Sequence, residues 1–136
     1  METIFSKIIK GEIPSSKVYE DEDFIAILDI MPTNLGHVLL IPKEYFENIF
    51  DAPESVGSKV YPLLSKLAKA MKEALNCDGI NIVQNNGKAA GQEVFHAHIH
   101  LIPRYENDGI RFTPQHKEYD STEHMQQTAE KIKSSI

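Results

Sequence analysis

Residues 94–104 read Val94-Phe95-His96-Ala97-His98-Ile99-His100-Leu101-Ile102-Pro103-Arg104. Three histidines alternate with apolar residues. That is the period of a β-strand, whose successive side chains point to opposite faces. Ala97, Ile99 and Leu101 are expected to face a core, and His96, His98 and His100 to line the other face. At a rise of about 3.3 Å per residue, neighbouring histidines stand about 6–7 Å apart. The central one reaches a small reacting group that its neighbours flank. The chain has six histidines, and half of them fall in this stretch. Imidazole has weak strand preference and is costly to bury unpaired, so the cluster calls for a chemical reason.

Two chemistries fit. His-x-His on a strand presents two zinc ligands on one face, with His37 as a third. No acidic residue lies within the strand to orient such ligands. Alternatively, a neutral imidazole attacks phosphorus and forms a covalent intermediate that water resolves. This route needs one nucleophile of fixed tautomer, donors around the phosphate and an acid for the leaving group. His98 suits the nucleophile. His100 and His37 donate to phosphate oxygens, and His96 orients them from behind. The loop amides from Gln92 to Val94 complete an anion cradle, next to Asn85-Asn86-Gly87-Lys88-Ala89-Ala90-Gly91-Gln92, whose glycines can expose backbone N–H groups.

The elements that must position these groups follow from pattern. Thr3 caps a short helix over Ile4 to Lys10, ended by Gly11. Lys17 to Glu20 and Phe24 to Asp29 read as strands joined by Asp21-Glu22-Asp23. Asp29, taken alone, is a turn or capping residue. Gly36 lets another segment or a ligand approach, and His37 opens the buried strand Val38 to Ile41, stopped by Pro42. Pro53 starts a long helix to about Leu75, with an apolar stripe from Val56 to Leu75. Pro62 should kink it or divide it. Asp78-Gly79 turns into the strand Ile80 to Gln84, which is expected to pair antiparallel with the histidine strand. Residues 106–120 read as loop, before a short helix from Asp120 or Ser121 with Met125, Ala129 and Ile132 on its apolar side.

A chain of 136 residues, 41% hydrophobic and 25% charged, reads as one globular domain over 1–136, more irregular after about residue 106. The net charge of -6 argues against a nucleic-acid binder. Cys77 is the only cysteine, so no disulfide is expected. No apolar run is long enough to span a membrane, and residues before the first helix lack the basic region, apolar run and small-residue cleavage site expected of a signal peptide. The expected location is cytoplasmic.

His96-Ala97-His98-Ile99-His100-Leu101-Ile102 matches the histidine triad signature, three histidines alternating with apolar residues and followed by two more. Further matches are Ile4-Phe5-Ser6-Lys7-Ile8-Ile9 with Ile13-Pro14, Ala26 to Ile30, Gly36-His37 leading to Ile41-Pro42-Lys43, and Asn85 through Gly91-Gln92 into Phe95. The chain resembles histidine triad nucleotide-binding proteins over nearly its whole length, and within them the purine nucleoside phosphoramidases. The resemblance implies an α+β fold: a five-stranded antiparallel sheet with one long and one short helix, the sheet extended across a homodimer through residues 53–75 and 79–85. It places the nucleophile on His98 and the phosphate-facing partners on His100, Asn85 and His37, with His96 in support. Asp29 falls on the ribose-binding carboxylate, Ile30 on a base contact, and Phe5 and Ile8 on the apolar wall of the base pocket. Gly91, Gln92, Glu93 and Val94 fall on the loop beside the phosphate. No cofactor is implied.

The sequence departs from that branch at Glu93, where Ser or Thr often stands. A hydroxyl donates, whereas an ionised Glu only accepts. Either its side chain points away and only the amide serves, or leaving-group preference differs. The Cys-x-x-Cys of some relatives falls on Thr3 and Ser6, so their structural zinc site is not expected. The leading expectation is hydrolysis of purine nucleoside monophosphate amides or esters through a nucleotidyl-His98. The alternatives are dinucleoside polyphosphate hydrolysis, a nucleotide-binding or scaffold role with weak catalysis, and a zinc hydrolase.

Overall fold

The computed structural model describes residues 1–136. Helix α1 spans Ile4–Ile9, opened by a capping box. The Thr3 hydroxyl accepts from the Ser6 N–H at 3.1 Å, and Ser6 Oγ accepts from the Thr3 N–H at 2.7 Å. Strands β1 (Lys17–Glu20) and β2 (Phe24–Leu28) form a hairpin. Its turn is held by Asp21, whose Oδ1 accepts from the Asp23 and Phe24 amides. Strand β3 is Val38–Pro42 and helix α2 is Glu54–Leu75. Strands β4 (Gly79–Val83) and β5 (Ile99–Arg104) follow, then helix α3 (Thr122–Lys133).

All five strands are antiparallel neighbours in the order β1-β2-β3-β5-β4. Both faces of the central strands are covered, which explains why β2 and β3 are nearly unbroken apolar runs. On one face Phe24, Ala26, Val38, Leu40, Ile99 and Leu101 pack under Val56, Leu63, Leu64, Leu67 and Met71 of α2. On the other, Ile25, Ile27, Leu39 and Ile41 pack under Phe5 and Ile8 of α1. His100 lies opposite Leu39 of β3 and Val83 of β4. Directly paired residues share a face, so the His98 and His100 side of β5 is the α1 side. Ala97, Ile99 and Leu101 face the α2 core as their alternation implies.

Three features differ from the sequence reading. Strand β5 begins at Ile99, not Val94, because the preceding residues bond elsewhere. The Ala97 N–H donates to the Phe46 carbonyl at 2.9 Å, and the His96 ring turns to the Pro42 carbonyl. Helix α2 runs through Pro62 without dividing. Pro62 and Ser58, the residue that loses its N–H partner to the proline, are both exposed, so water can satisfy the freed carbonyl. Helix α3 starts after its cap Ser121 as expected, but it buries no side chain, and Met125 and Ile132 are exposed. Its apolar side covers nothing in this chain.

Candidate active site

The site lies where β2, β3 and β5 meet the β4–β5 connection, beneath α1. A cavity of about 540 Å³ is lined by Phe5, Ile8, Asp29, Ile30, Asn85, Gly91, Glu93, Val94, His98 and His100, with Ile4, Ile13, Pro14, Ser15, Ile27, Leu28, Met31 and Leu39 completing its walls. That volume suits a small organic ligand. His37, His96 and Gln92 do not line it and act from behind.

Hydrogen bonding settles the tautomer of every histidine in the cluster. A carbonyl only accepts. His98 Nδ1 lies 2.7 Å from the His96 carbonyl, so Nδ1 carries the proton and Nε2 keeps its lone pair. The Phe5 ring meets the His98 ring edge-on, centroids 4.8 Å apart. His96 Nε2 lies 3.0 Å from the Pro42 carbonyl and therefore donates. Its Nδ1 then accepts from the Thr3 hydroxyl at 3.0 Å. Thr3 thus has two roles: its lone pair caps α1 and its proton goes to His96.

A second relay runs through His37. The Thr33 N–H donates to His37 Nδ1 at 3.0 Å. His37 Nε2 therefore carries the proton and donates to His100 Nδ1 at 2.9 Å. That leaves His100 Nε2–H free to donate. Asp29 Oδ2 stands 3.7 Å from His37 Nε2, while its Oδ1 accepts from the Met31 N–H at 2.9 Å. The turn reading of Asp29 and its place on the cavity wall are both met. Burial pushes the pKa of His37, His96, His98 and His100 below the ordinary imidazole value. The Asp29 carboxylate partly opposes this at His37, His98 and His100. The site at neutral pH is a set of neutral imidazoles: one lone pair at His98 and one N–H at His100.

Asp29, His37 and His100 also offer three ligand atoms within 4.8 Å of one another. A neutral imidazole that binds a metal through Nε2 must carry its proton on Nδ1. His37 Nδ1 faces the Thr33 N–H instead. The donor set fits a proton relay and opposes a cation at His37. At Thr3 and Ser6, the hydroxyls are engaged in the α1 cap and in the bond to His96.

The β4–β5 connection is locked from inside. The buried Gln92 side chain accepts from the Gly87 N–H at 2.9 Å and from Asn48 Nδ2 at 3.2 Å. It donates to the Glu47 and Val94 carbonyls at 2.8 and 3.0 Å. Gly87 and Gly91 have φ of 92° and 93°, which a side chain rarely tolerates. The Gln92 amide donates to the Gly87 carbonyl, so it does not join an anion cradle as expected. The Glu93 and Val94 amides have no partner in the chain.

The HIT domain family model matches residues 10–107. The chain belongs to the HIT family. Among relatives of this HIT protein, adenosine 5'-monophosphoramidase HNT1 of Saccharomyces cerevisiae is 49% identical over 108 residues, covering 79% of this chain and 66% of the yeast protein. Adenylylsulfatase HINT3 of Arabidopsis thaliana is 43% identical over 105 residues, covering 77% of this chain and 53% of that one. The crystal structure of a HIT family member from Bacillus subtilis superposes with a TM-score of 0.93 at 38% identity, over 100% of this chain and 98% of that one. The five-stranded antiparallel α+β architecture is that of the HIT fold.

Sequence reasoning missed the groups that set the tautomers. Thr3 reads as a helix cap, and nothing local signals its bond to a residue 93 positions away. The Thr33 amide carries no sequence signal at all. The approach permitted by Gly36 is made by Leu75 of α2: a Cβ there would stand 2.6 Å from Leu75 Cδ1.

Proposed function

We propose that this HIT protein hydrolyses purine nucleoside 5'-monophosphate amides through a nucleotidyl-His98 intermediate. One observation carries the reading: the His96 carbonyl holds the proton on His98 Nδ1, so the Nε2 lone pair is left for attack. Nε2 bonds to the α-phosphorus as the phosphorus–nitrogen bond breaks. The departing nitrogen takes a proton from solvent and leaves as the amine, while His100 Nε2–H, whose other nitrogen accepts from His37, stays bonded to a phosphate oxygen. Water then attacks phosphorus, gives up a proton to solvent and releases the monophosphate and neutral His98. The Glu93 and Val94 amides, the Asn85 side chain and His100 donate to phosphate oxygens. Asp29 accepts from the ribose hydroxyls, and Phe5, Ile8 and Ile30 wall an apolar slot for the base.

The lining favours amides over the alternatives. No Lys or Arg lines the cavity. A sulfate, or the polyanionic half of a dinucleoside polyphosphate, would leave from a site with no cation to stabilise it. A binding role without turnover is the second reading, motivated by Glu93. The experiment is hydrolysis of an adenosine phosphoramidate by the wild type and by His98→Asn, with intact-mass detection of an adduct. Turnover and an AMP-mass adduct that both disappear in His98→Asn are expected. Turnover retained without His98 overturns the mechanism. AMP binding without turnover on a broad nucleotide panel favours the binding role.

The proposal includes a homodimer through residues 53–75 and 79–85. In its support, β4 is an edge strand with one backbone side free, and Tyr61 of α2 is 79% exposed. Sedimentation equilibrium tests it, and a monomer at micromolar concentration rejects it.

A further inference from the structure

The charge on the cavity wall is one-sided. Two carboxylates, Asp29 and Glu93, line it; no Lys or Arg does, and the imidazoles beside them are held neutral by burial. Asp29 is accounted for by the Met31 amide and by His37. Glu93 is not. It is exposed and takes part in none of the chain's ion pairs.

Its place is nevertheless fixed. On one side is Gln92, held by four side-chain bonds. On the other is Val94, half-buried against the α1 core. Burial lowers the His100 pKa, and the Glu93 carboxylate, within electrostatic reach of that ring, partly opposes the shift. An uncompensated anion beside a phosphate subsite repels every substrate equally unless the substrate itself brings a cation. With the base against Phe5, Ile8 and Ile30 and the phosphate at His98 and His100, the part of the substrate that meets the exposed Glu93, within electrostatic reach of His100, is the departing group.

We propose that Glu93 is a specificity-determining residue that selects amides whose leaving amine carries a second positive charge, a protonated amine or a guanidinium. This rests on the hydrolase reading above and names its substrate class. In the reaction the phosphorus–nitrogen bond breaks, the departing nitrogen takes a proton from solvent, and the second cation stays on Glu93 as a spectator. The carboxylate offsets the charge of the leaving group, not that of the phosphate.

The test uses AMP amides of matched length: butylamine, its ω-amino analogue and its ω-carboxy analogue. An exposed ion pair is worth up to about 1 kcal/mol, so kcat/KM for the ω-amino amide should exceed that for the butyl amide by about fivefold. The ω-carboxy amide should be the poorest of the set. The ratio should fall to about one in Glu93→Gln and shrink with added salt. Calorimetric binding of the same amides to His98→Asn reads the charge order without turnover. Equal kcat/KM for cationic and neutral amides, or a preference that survives Glu93→Gln, overturns the inference and leaves the hydrolase reading standing. A charge order in binding with no turnover of any amide by the wild type overturns the hydrolase reading and keeps Glu93 as a cation-selecting residue. Neither turnover nor charge order removes both.

Discussion

Thr3→Val isolates the link between the first helix and His98, the proposed nucleophile. The substitution keeps the shape of the side chain and removes its hydroxyl. Two bonds go: the cap from the Ser6 amide at 3.1 Å and the donation to His96 Nδ1 at 3.0 Å. Losing the cap costs about 1 kcal/mol. Leaving the buried imidazole nitrogen unpaired costs about 1–3 kcal/mol. A stability loss of about 2–4 kcal/mol is expected, read by urea unfolding. The catalytic effect is smaller and separable. The His96 ring loses one of the two bonds that orient it, and its own carbonyl fixes the His98 tautomer. One net hydrogen bond of about 1 kcal/mol corresponds to about a fivefold fall in kcat, with KM for the nucleotide unchanged. Thr3→Ser keeps cap and donor, and should restore both readouts. If Thr3→Val is destabilised yet retains the wild-type kcat, Thr3 is a cap alone and the link from α1 to His98 is wrong.

The four lowered histidine pKa values predict acid sensitivity with a definite sign. Below the ordinary value of about 6.5 the unfolded chain takes up protons before the folded one, so stability is full above that pH and falls as pH drops through the folded values. Urea midpoints that stay constant from about pH 7.5 to about pH 5 would contradict it. In the proposed mechanism His98 attacks as the neutral base, so kcat/KM should rise with pH through a value below about 6.5 and then level off. Gln92→Met keeps the volume but removes four bonds. It should cost about 3 kcal/mol in denaturant unfolding and raise KM as Gly91 and Glu93 shift; a loss under about 1 kcal/mol would mean that the loop is held by other contacts. Gly36→Ala meets a φ of 94° and the Leu75 side chain and should lower stability by about 1–3 kcal/mol. Adding Leu75→Ala does not rescue it if backbone strain dominates, and full rescue would assign the cost to the clash.

Much of this molecule is legible from residue pattern. The alternation through His100 fixes which side of β5 meets α2, and the long stripe from Val56 to Met71 fixes the helix that covers it. The glycine-bearing loop falls beside the histidines because β4 and β5 pair. What pattern misses is whatever depends on bonds between distant parts of the chain. Alternation continues back to Phe95, yet the strand does not, because Phe46 and Pro42 offer carbonyls that compete for residues 96 and 97. Gln92 reads as a ligand residue from its place in the motif, but burial turns its side chain inward to the loop. The apolar positions of α3 have helical spacing and no core to meet. The resemblance supplied Asp29 and Asn85, which no local periodicity marks.

The strand order has a consequence for how the protein is made. Strand β5 is the last to be synthesised, yet it lies inside the sheet between β3 and β4. Until it is threaded into that gap, β4 has no neighbour and the sheet stops at β3. The contacts that close the site are correspondingly distant, reaching from residue 3 to residue 96, and contacts of long sequence separation form late and slowly. A nascent chain short of His98 therefore has neither a complete sheet nor the proposed nucleophile. Reactivity arrives in the same step as the finished fold, so activity is a direct count of chains that have folded to the end.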